Sequence, residues 1–112
     1  MKYKIVIVPF PFDDLSGQKA RPAVCLTDEI QPFGHVVLAF ITSKLSANPS
    51  ATDFVIDSQD ADFALTGLKV SLTVRLHRLM TVSSKIITRE LGELSKHQQT
   101  EIENRLRKLF AI

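Results

Sequence analysis

Residues 69–77 read "KVSLTVRLH", in which Val70, Leu72, Val74 and Leu76 take every second place and Lys69, Ser71, Thr73, Arg75 and His77 fill the others. Period two over this length marks a strand with one buried and one solvated face, since an amphipathic helix would repeat its apolar residues at three and four. The text that follows, "RLMTV", continues extended beyond a kink.

Working outward from that strand, the rest of the chain supplies partners for it. "KIVIVPFPF" opens with four β-formers, Ile5 to Val8, and its prolines, Pro9 and Pro11, lack the N–H a ladder needs and are read as ending regular pairing. Asp13, Asp14, Ser16 and Gly17 are turn and loop formers by type, and "RPAVCLT" reads as a second strand bounded by Pro22. After the polar "DEIQPFGH", the run "HVVLAFITS" reads as a central strand. "KLSANPSAT" is an exposed loop, and "DFVID" a short strand expected to pair, hairpin-like, with the strand before it. Near the end, "SKHQ" carries a capping box, Ser95 with Gln98, followed by Ile102, Leu106, Leu109 and Phe110 on one helical face. Five or six short strands and one C-terminal amphipathic helix, without βαβ alternation or internal repeat, make a mainly β (α+β) chain. The economical arrangement is a small, strongly bent antiparallel sheet or half-open barrel with the helix packed against it.

Composition narrows the class. A chain of 112 residues suits one domain, 1–112, and a 45% hydrophobic, 23% charged content is that of a globular protein with a real core. Fourteen Lys and Arg against twelve Asp and Glu leave +2, so a nucleic-acid partner has to be argued from where the charge lies. It is patchy: Lys19, Arg21, Lys44, Arg75, His77 and Arg78 form basic spots, and Asp53, Asp57, Asp60 and Asp62 gather elsewhere. The single cysteine, Cys25, excludes an internal disulfide and a cysteine zinc cluster and suits a reducing cytoplasm. No stretch approaches the ~20 apolar residues of a membrane span, and the N-terminal apolar run is too short for a signal peptide.

Few residues carry chemistry by type and position. Arg21 stands between a flexible polar loop and Pro22. Its planar fork grips two phosphate oxygens and stays charged at any working pH, although a rim arginine paired with Asp13 or Asp14 would occupy the same place. Thr42 and Ser43 end the apolar strand with hydroxyls at the mouth of the sheet, where Thr is also an ordinary strand residue, and Lys44 adds charge beside them. Of His35, His77 and His97, only His77, beside Arg75, is placed to join such a site. Phe10 and Phe12 are candidates for base stacking, with core burial as their alternative fate. Adjacent Asp13 and Asp14 point apart on an extended chain, no metal-ligand spacing occurs, and no Gly-rich phosphate loop, nucleophile elbow or Cys–His pair is present.

Taken in order, "VPFPFDDLSGQKARPAVCL", "AFITSKL", "GLKVSLTVRLHRLMTV" and "RELGELS" resemble the MazF/PemK-like family of toxin endoribonucleases over nearly the whole chain. The resemblance implies an SH3-like barrel of five to seven antiparallel strands with a terminal helix, a homodimer, and a cytoplasmic toxin of a type II toxin–antitoxin pair. It implies cleavage of single-stranded RNA without metal or other cofactor, leaving a 2′,3′-cyclic phosphate or 3′-phosphate and a 5′-hydroxyl. Carried over, the family's arginine before proline falls on Arg21, as phosphate ligand and proton-donor candidate, and its strand-end threonine on Thr42, as stabilising donor. Phe12, Gln18, Lys19, Ser43, Lys44 and His77 form the accompanying RNA-binding set. The implied partner is a small antitoxin whose acidic, initially disordered tail folds into the basic groove in competition with RNA. Two departures stand out: "YKIVIV" lacks the Gly-Asp that often precedes the first strand, and "SGQK" lacks the glutamate some members carry, so no carboxylate base is assigned. The rival reading is a non-catalytic barrel of the same fold, either a CcdB-like topoisomerase poison or an RNA- or protein-binding module.

Overall fold

The computed structural model describes residues 1–10, 19–45 and 48–112. Its strands are β1 (Lys4–Phe10), β2 (Lys19–Cys25), β3 (His35–Thr42), β4 (Asp53–Ile56), β5 (Leu72–Ser83) and β6 (Arg89–Glu93), followed by one helix, α1 (Lys96–Phe110). They form one six-stranded antiparallel sheet in the order β4-β5-β3-β2-β1-β6, curled into a half-barrel. Among the described residues, no helix is long and apolar enough to cross a membrane.

Strand alternation explains both the core and the outer surface. Ile5, Val24, Ala39, Ile41, Phe54, Val74 and Leu76 meet on the inner face, closed by Leu94 and by Ile102 of α1. Val6, Val8, Ala23, Cys25, Val36 and Leu38 form a second buried cluster on the other face, with Phe40, Val82, Ile86 and Ile87 packed against it. β1, β2 and most of β3 are therefore buried on both sides, which is why their text runs apolar without alternation. β5 begins at Leu72 rather than Lys69: Val70 is exposed, and pairing with β4 starts only where Leu72 meets Ile56.

The expected kink in β5 is a wide bulge. Ala39 pairs with Leu79 but Phe40 pairs with Arg75, so Leu76, His77 and Arg78 have no counterparts on β3. Bulges bend a sheet, and this one separates a segment of β5 shared with β4 from one that lines β3 alone. β4 pairs with β5 and not, as its place after β3 in the chain led one to expect, with β3, because β5 already holds that edge.

The prolines act differently from expectation as well. β1 continues through Pro9 to Phe10, with Pro9 opposite Ala20. The Ile7 carbonyl accepts from Thr88 N on the β6 side, and strand residues two apart face the same way, so the Pro9 nitrogen points past the end of the β1–β6 register. Pro22, opposite Ile7, directs its nitrogen the other way, toward β3, and there it does end a ladder: the β2–β3 register stops at Ala23↔Phe40.

At the far edge the 3-10 turn Phe63–Thr66, for which the sequence carries no periodic signal, lies against β6. Gly67, at φ +71, and Gly92 make the approach: a Cβ on Gly67 would stand 2.0 Å from the Leu91 carbonyl oxygen and one on Gly92 2.2 Å from that of Leu65. The helix starts as its capping box requires, Ser95 Oγ accepting from Gln98 N and the Gln98 side chain accepting from Ser95 N. It is tied to the first strand by the Tyr3 hydroxyl, which donates to Glu103.

Gly92→Ala would collide with backbone that has no room to retreat, so it should destabilise by about 2 kcal/mol or more, lowering the melting temperature by about 10 °C. Gly34→Ala, where nothing lies within 4 Å and only the positive φ is strained, should cost clearly less in the same melting experiment. Burial pushes the Cys25 thiol up to about 11 from 9.0, and burial with the Glu103 contact raises the Tyr3 phenol. The folded state holds both protons more tightly than the unfolded chain, so this stability is complete below pH 9 and lost as pH climbs through about 11. A urea midpoint that falls between pH about 8.5 and about 10.5, with a shallower fall in Cys25→Ala, is the expected record.

Candidate active site

Residues facing each other across antiparallel strands share a face, as do residues two apart along one strand. Ala23 opposes Phe40, Phe40 opposes Arg75 and Asp53 opposes Arg75, while Thr42 opposes Thr73. Arg21, Phe40, Thr42, Thr73, Arg75 and Asp53 therefore all emerge on the outer face, where it turns from apolar on β1 and β2 to polar on β5 and β4. Because Pro22 halts the β2–β3 ladder, the ends of these strands part there, and a cleft of about 260 Å³ opens between them. Arg21 stands on one wall; Thr42, Ser43 and Lys44 stand on the other, with Arg75 and Arg78 completing the lining.

The two residues singled out as catalytic are separated by twenty positions of chain and line this one cleft. Thr42 is half-buried, and its Oγ1 accepts the Lys44 backbone N–H at 3.2 Å. That contact uses a lone pair, fixes the oxygen and leaves the hydroxyl proton for a ligand. Arg21 is exposed at the start of β2, its backbone held opposite Val8. The guanidinium of Arg78 lies 5.4 Å from the centre of the Phe40 ring, a cation–π contact that holds a third positive group over the cleft. With Lys44 and Arg75, the lining among the described residues carries four cations and no carboxylate, a surface that fits a polyanion.

His77 does not line the cleft; it follows Leu76 in the bulge and meets Thr52 Oγ1 through Nδ1 at 3.4 Å. Phe12 and Gln18 lie outside the described residues, as does the side chain of Lys19. Asp13 and Asp14, the alternative partners for Arg21, lie outside them too. Among the described residues, no group of three or more His, Cys, Asp or Glu is placed to hold a metal ion. Arg75 and Arg78 joined the site without being singled out as functional. The signal was there in "RLHRL", where two polar residues in succession break the period of two and mark the bulge that brings Arg78 over Phe40.

Residues 1–110 match the family model described as PemK-like, MazF-like toxin of type II toxin–antitoxin system. The chain belongs to this toxin family. Among solved structures it is similar to an endoribonuclease in complex with its cognate antitoxin from Mycobacterial species, at 13% identity and a TM-score of 0.75 over 100% of this chain and 95% of that one. It is also similar to the Mycobacterium tuberculosis toxin MazF-mt6, at 24% identity and a TM-score of 0.70 over 96% and 97%. A further endoribonuclease from Mycobacterial species follows at 15% identity and 0.71 over 100% and 91%. At these identities the structural likeness speaks for the shared fold. Comparison with curated protein sequences gives no match.

A second cleft of about 410 Å³ adjoins the first and shares Thr42, Lys44 and Arg75 with it. Its floor is Asp53, buried at 7% exposure, whose Oδ2 accepts Ser50 N at 3.1 Å and whose Oδ1 lies 3.5 Å from Arg75 Nε. That separation is an ion pair without hydrogen-bond geometry, so both atoms remain without a hydrogen-bond partner. Arg105 of α1 reaches the Asp53 carbonyl through Nε at 3.2 Å and lies over the Phe54 ring, so the helix braces the strand that carries Asp53. Asp53→Ala would strip the partner from Ser50 N and leave Arg75 beside an apolar gap, a loss of about 1–3 kcal/mol that thermal unfolding should register. Asp53→Asn, which keeps an acceptor for Ser50, should lose less.

Proposed function

We infer that this toxin is a metal-independent endoribonuclease and that the cleft between the ends of β2 and β3 receives the scissile phosphate of single-stranded RNA. The observation that carries the reading is the convergence of Arg21 and Thr42, remote in sequence, on one cationic cleft in a chain of the PemK/MazF toxin family.

Cleavage proceeds by attack of a ribose 2′-hydroxyl on its own phosphorus: its proton passes to solvent water in the open cleft, the new bond closes the 2′,3′-cyclic phosphate, and the bond to the 5′-oxygen breaks. Negative charge gathers on the non-bridging oxygens, and the departing 5′-oxygen takes a proton. Arg21 grips those oxygens with its fork and is the proton-donor candidate for the leaving oxygen, regaining its proton from solvent. Thr42, its oxygen already anchored by Lys44 N–H, donates its hydroxyl proton to the same phosphate. Lys44, Arg75 and Arg78 hold the flanking backbone, with Ser43 on the rim. No step calls for a metal, because the guanidinium supplies the charge.

The same cationic surface suits the acidic tail of a cognate antitoxin, which would occupy it in place of RNA, and a structural relative is an endoribonuclease held with its cognate antitoxin. The chain works as one domain, as a homodimer in the cytoplasm. The family match favours this over the topoisomerase-poison reading.

Arg21→Ala should lower cleavage of a long single-stranded RNA in the presence of chelator by roughly 10²–10³-fold, and Thr42→Val by a comparable factor. Both lie at the surface end of their strands, so melting should stay within about 0.5 kcal/mol of wild type. Wild-type protein that leaves RNA intact under these conditions yet still arrests growth would instead support the non-catalytic barrel.

A further inference from the structure

We propose that Asp53 is a positioning residue for RNA cleavage: its buried carboxylate aims the Arg75 guanidinium into the first cleft, where Arg75 seats the RNA backbone beside Thr42. The inference rests on the ribonuclease reading above and carries it one residue deeper, from the groups that meet RNA to the group that points one of them.

Asp53 and Arg75 stand opposite each other in the β4–β5 ladder, so their side chains leave the sheet side by side on the outer face. The ion pair joins Asp53 Oδ1 to Arg75 Nε at 3.5 Å, and the Asp53 side chain is nearly closed off from solvent while that of Arg75 is partly open to it. Nε is the inner donor of the guanidinium. With that side turned to the carboxylate, the two terminal nitrogens face outward and can hold two phosphate oxygens together. Arg75 lies diagonal to Thr42 across β3 and β5, since Phe40 opposes Arg75 and Thr42 opposes Thr73. Diagonal neighbours are about 7 Å apart, a span that an arginine covers. Both residues line the first cleft.

The carboxylate is itself held in place. Asp53 Oδ2 accepts Ser50 N at 3.1 Å, the Asp53 carbonyl accepts Arg105 Nε at 3.2 Å, and Arg105 lies over the ring of Phe54, the next residue of β4. An unrestrained arginine loses side-chain freedom when it grips a ligand, and a fixed partner removes part of that freedom before RNA arrives.

Asp53 also has an opposing effect, because its negative charge subtracts from the positive surface that attracts RNA. If charge alone mattered, neutralising Asp53 would tighten RNA binding and leave the chemical step no slower. If aim matters, the same change slows that step. Asp53→Asn separates the two. Only its amide oxygen can accept from Ser50 N, which leaves the amide NH2 facing Arg75 Nε–H, donor against donor. The fold keeps its contact and the guanidinium loses its aim.

Wild type, Asp53→Asn, Arg75→Ala and the double variant are each confirmed folded by melting. They are then assayed in chelator over a range of concentrations of a long single-stranded RNA, with new 5′-hydroxyl ends counted. Asp53→Asn should lower kcat roughly 10-fold with KM unchanged or lower. Arg75→Ala should lose as much or more, and adding Asp53→Asn to it should change cleavage by less than about 2-fold. The double variant should nevertheless melt above Arg75→Ala, because a buried carboxylate deprived of its cation has been neutralised. Cleavage and stability then move apart, which a merely structural role does not allow. Asp53→Asn that cleaves as fast as wild type or faster, or a double variant whose loss is the product of the two single losses, overturns the inference and leaves the ribonuclease reading standing. Wild type that leaves RNA whole overturns that reading, and this inference with it.

Discussion

The cleft exists because Pro22 has no N–H to give. Were any other residue there, the β2–β3 ladder could run on past Ala23↔Phe40 and set residue 22 against Ile41, drawing the strand ends together. Instead the sheet parts at that point, while two-sided burial of Val24, Ala39 and Leu38 keeps both strands rigid up to the parting. A guanidinium on one lip and a hydroxyl on the other are thereby held apart by packing rather than by each other, which leaves space between them for an anion.

Alternation then decides what faces that space. The inner half of β3, β4 and β5 is spent on Ile41, Phe54 and Val74, so their neighbours Thr42, Asp53, Thr73 and Arg75 are turned to the opposite side. The β5 bulge adds what alternation alone would not: it lets Arg75 stay in the ladder beside Asp53 while Arg78 swings across Phe40. Among the described residues Asp53 is the one buried carboxylate, and it lies beside Arg75 on this face.

Much of this was legible in the text. The strand read at 69–77 announced itself by period two, although it starts only at Leu72, and the helix by Ser95 and Gln98; Arg21 and Thr42 were picked out by their place in motifs resembling the toxin family. What the text hid was pairing. A proline forbids a hydrogen bond only on the side its nitrogen faces, so Pro9 could be passed over and Pro22 could not, a distinction that depends on neighbours three-dimensionally supplied. β4 belonged with β5 because an edge was already taken, again a fact about the sheet and not about "DFVID". Asp53 read as one of a run of acids, yet it is the buried one, held beside Arg75 and accepting from Ser50 N. The 3-10 turn at Phe63–Thr66 has no repeat to betray it, and only the crowding at Gly67 and Gly92 explains its position.

The outer neighbour of β1 is β6, some eighty residues downstream; the Tyr3 carbonyl accepts from Leu94 N just beyond β6, and the Tyr3 hydroxyl donates to Glu103 of the closing helix. Such pairings between the opposite ends of a chain are the slowest to form, since long stretches must be synthesised and confined first. During translation, the strand that buttresses Arg21 stays half-paired until residues 89–93 have left the ribosome. A ribonuclease made on the machinery whose messages it would cut thus matures late, and a prematurely terminated product lacks the last seam of its own sheet.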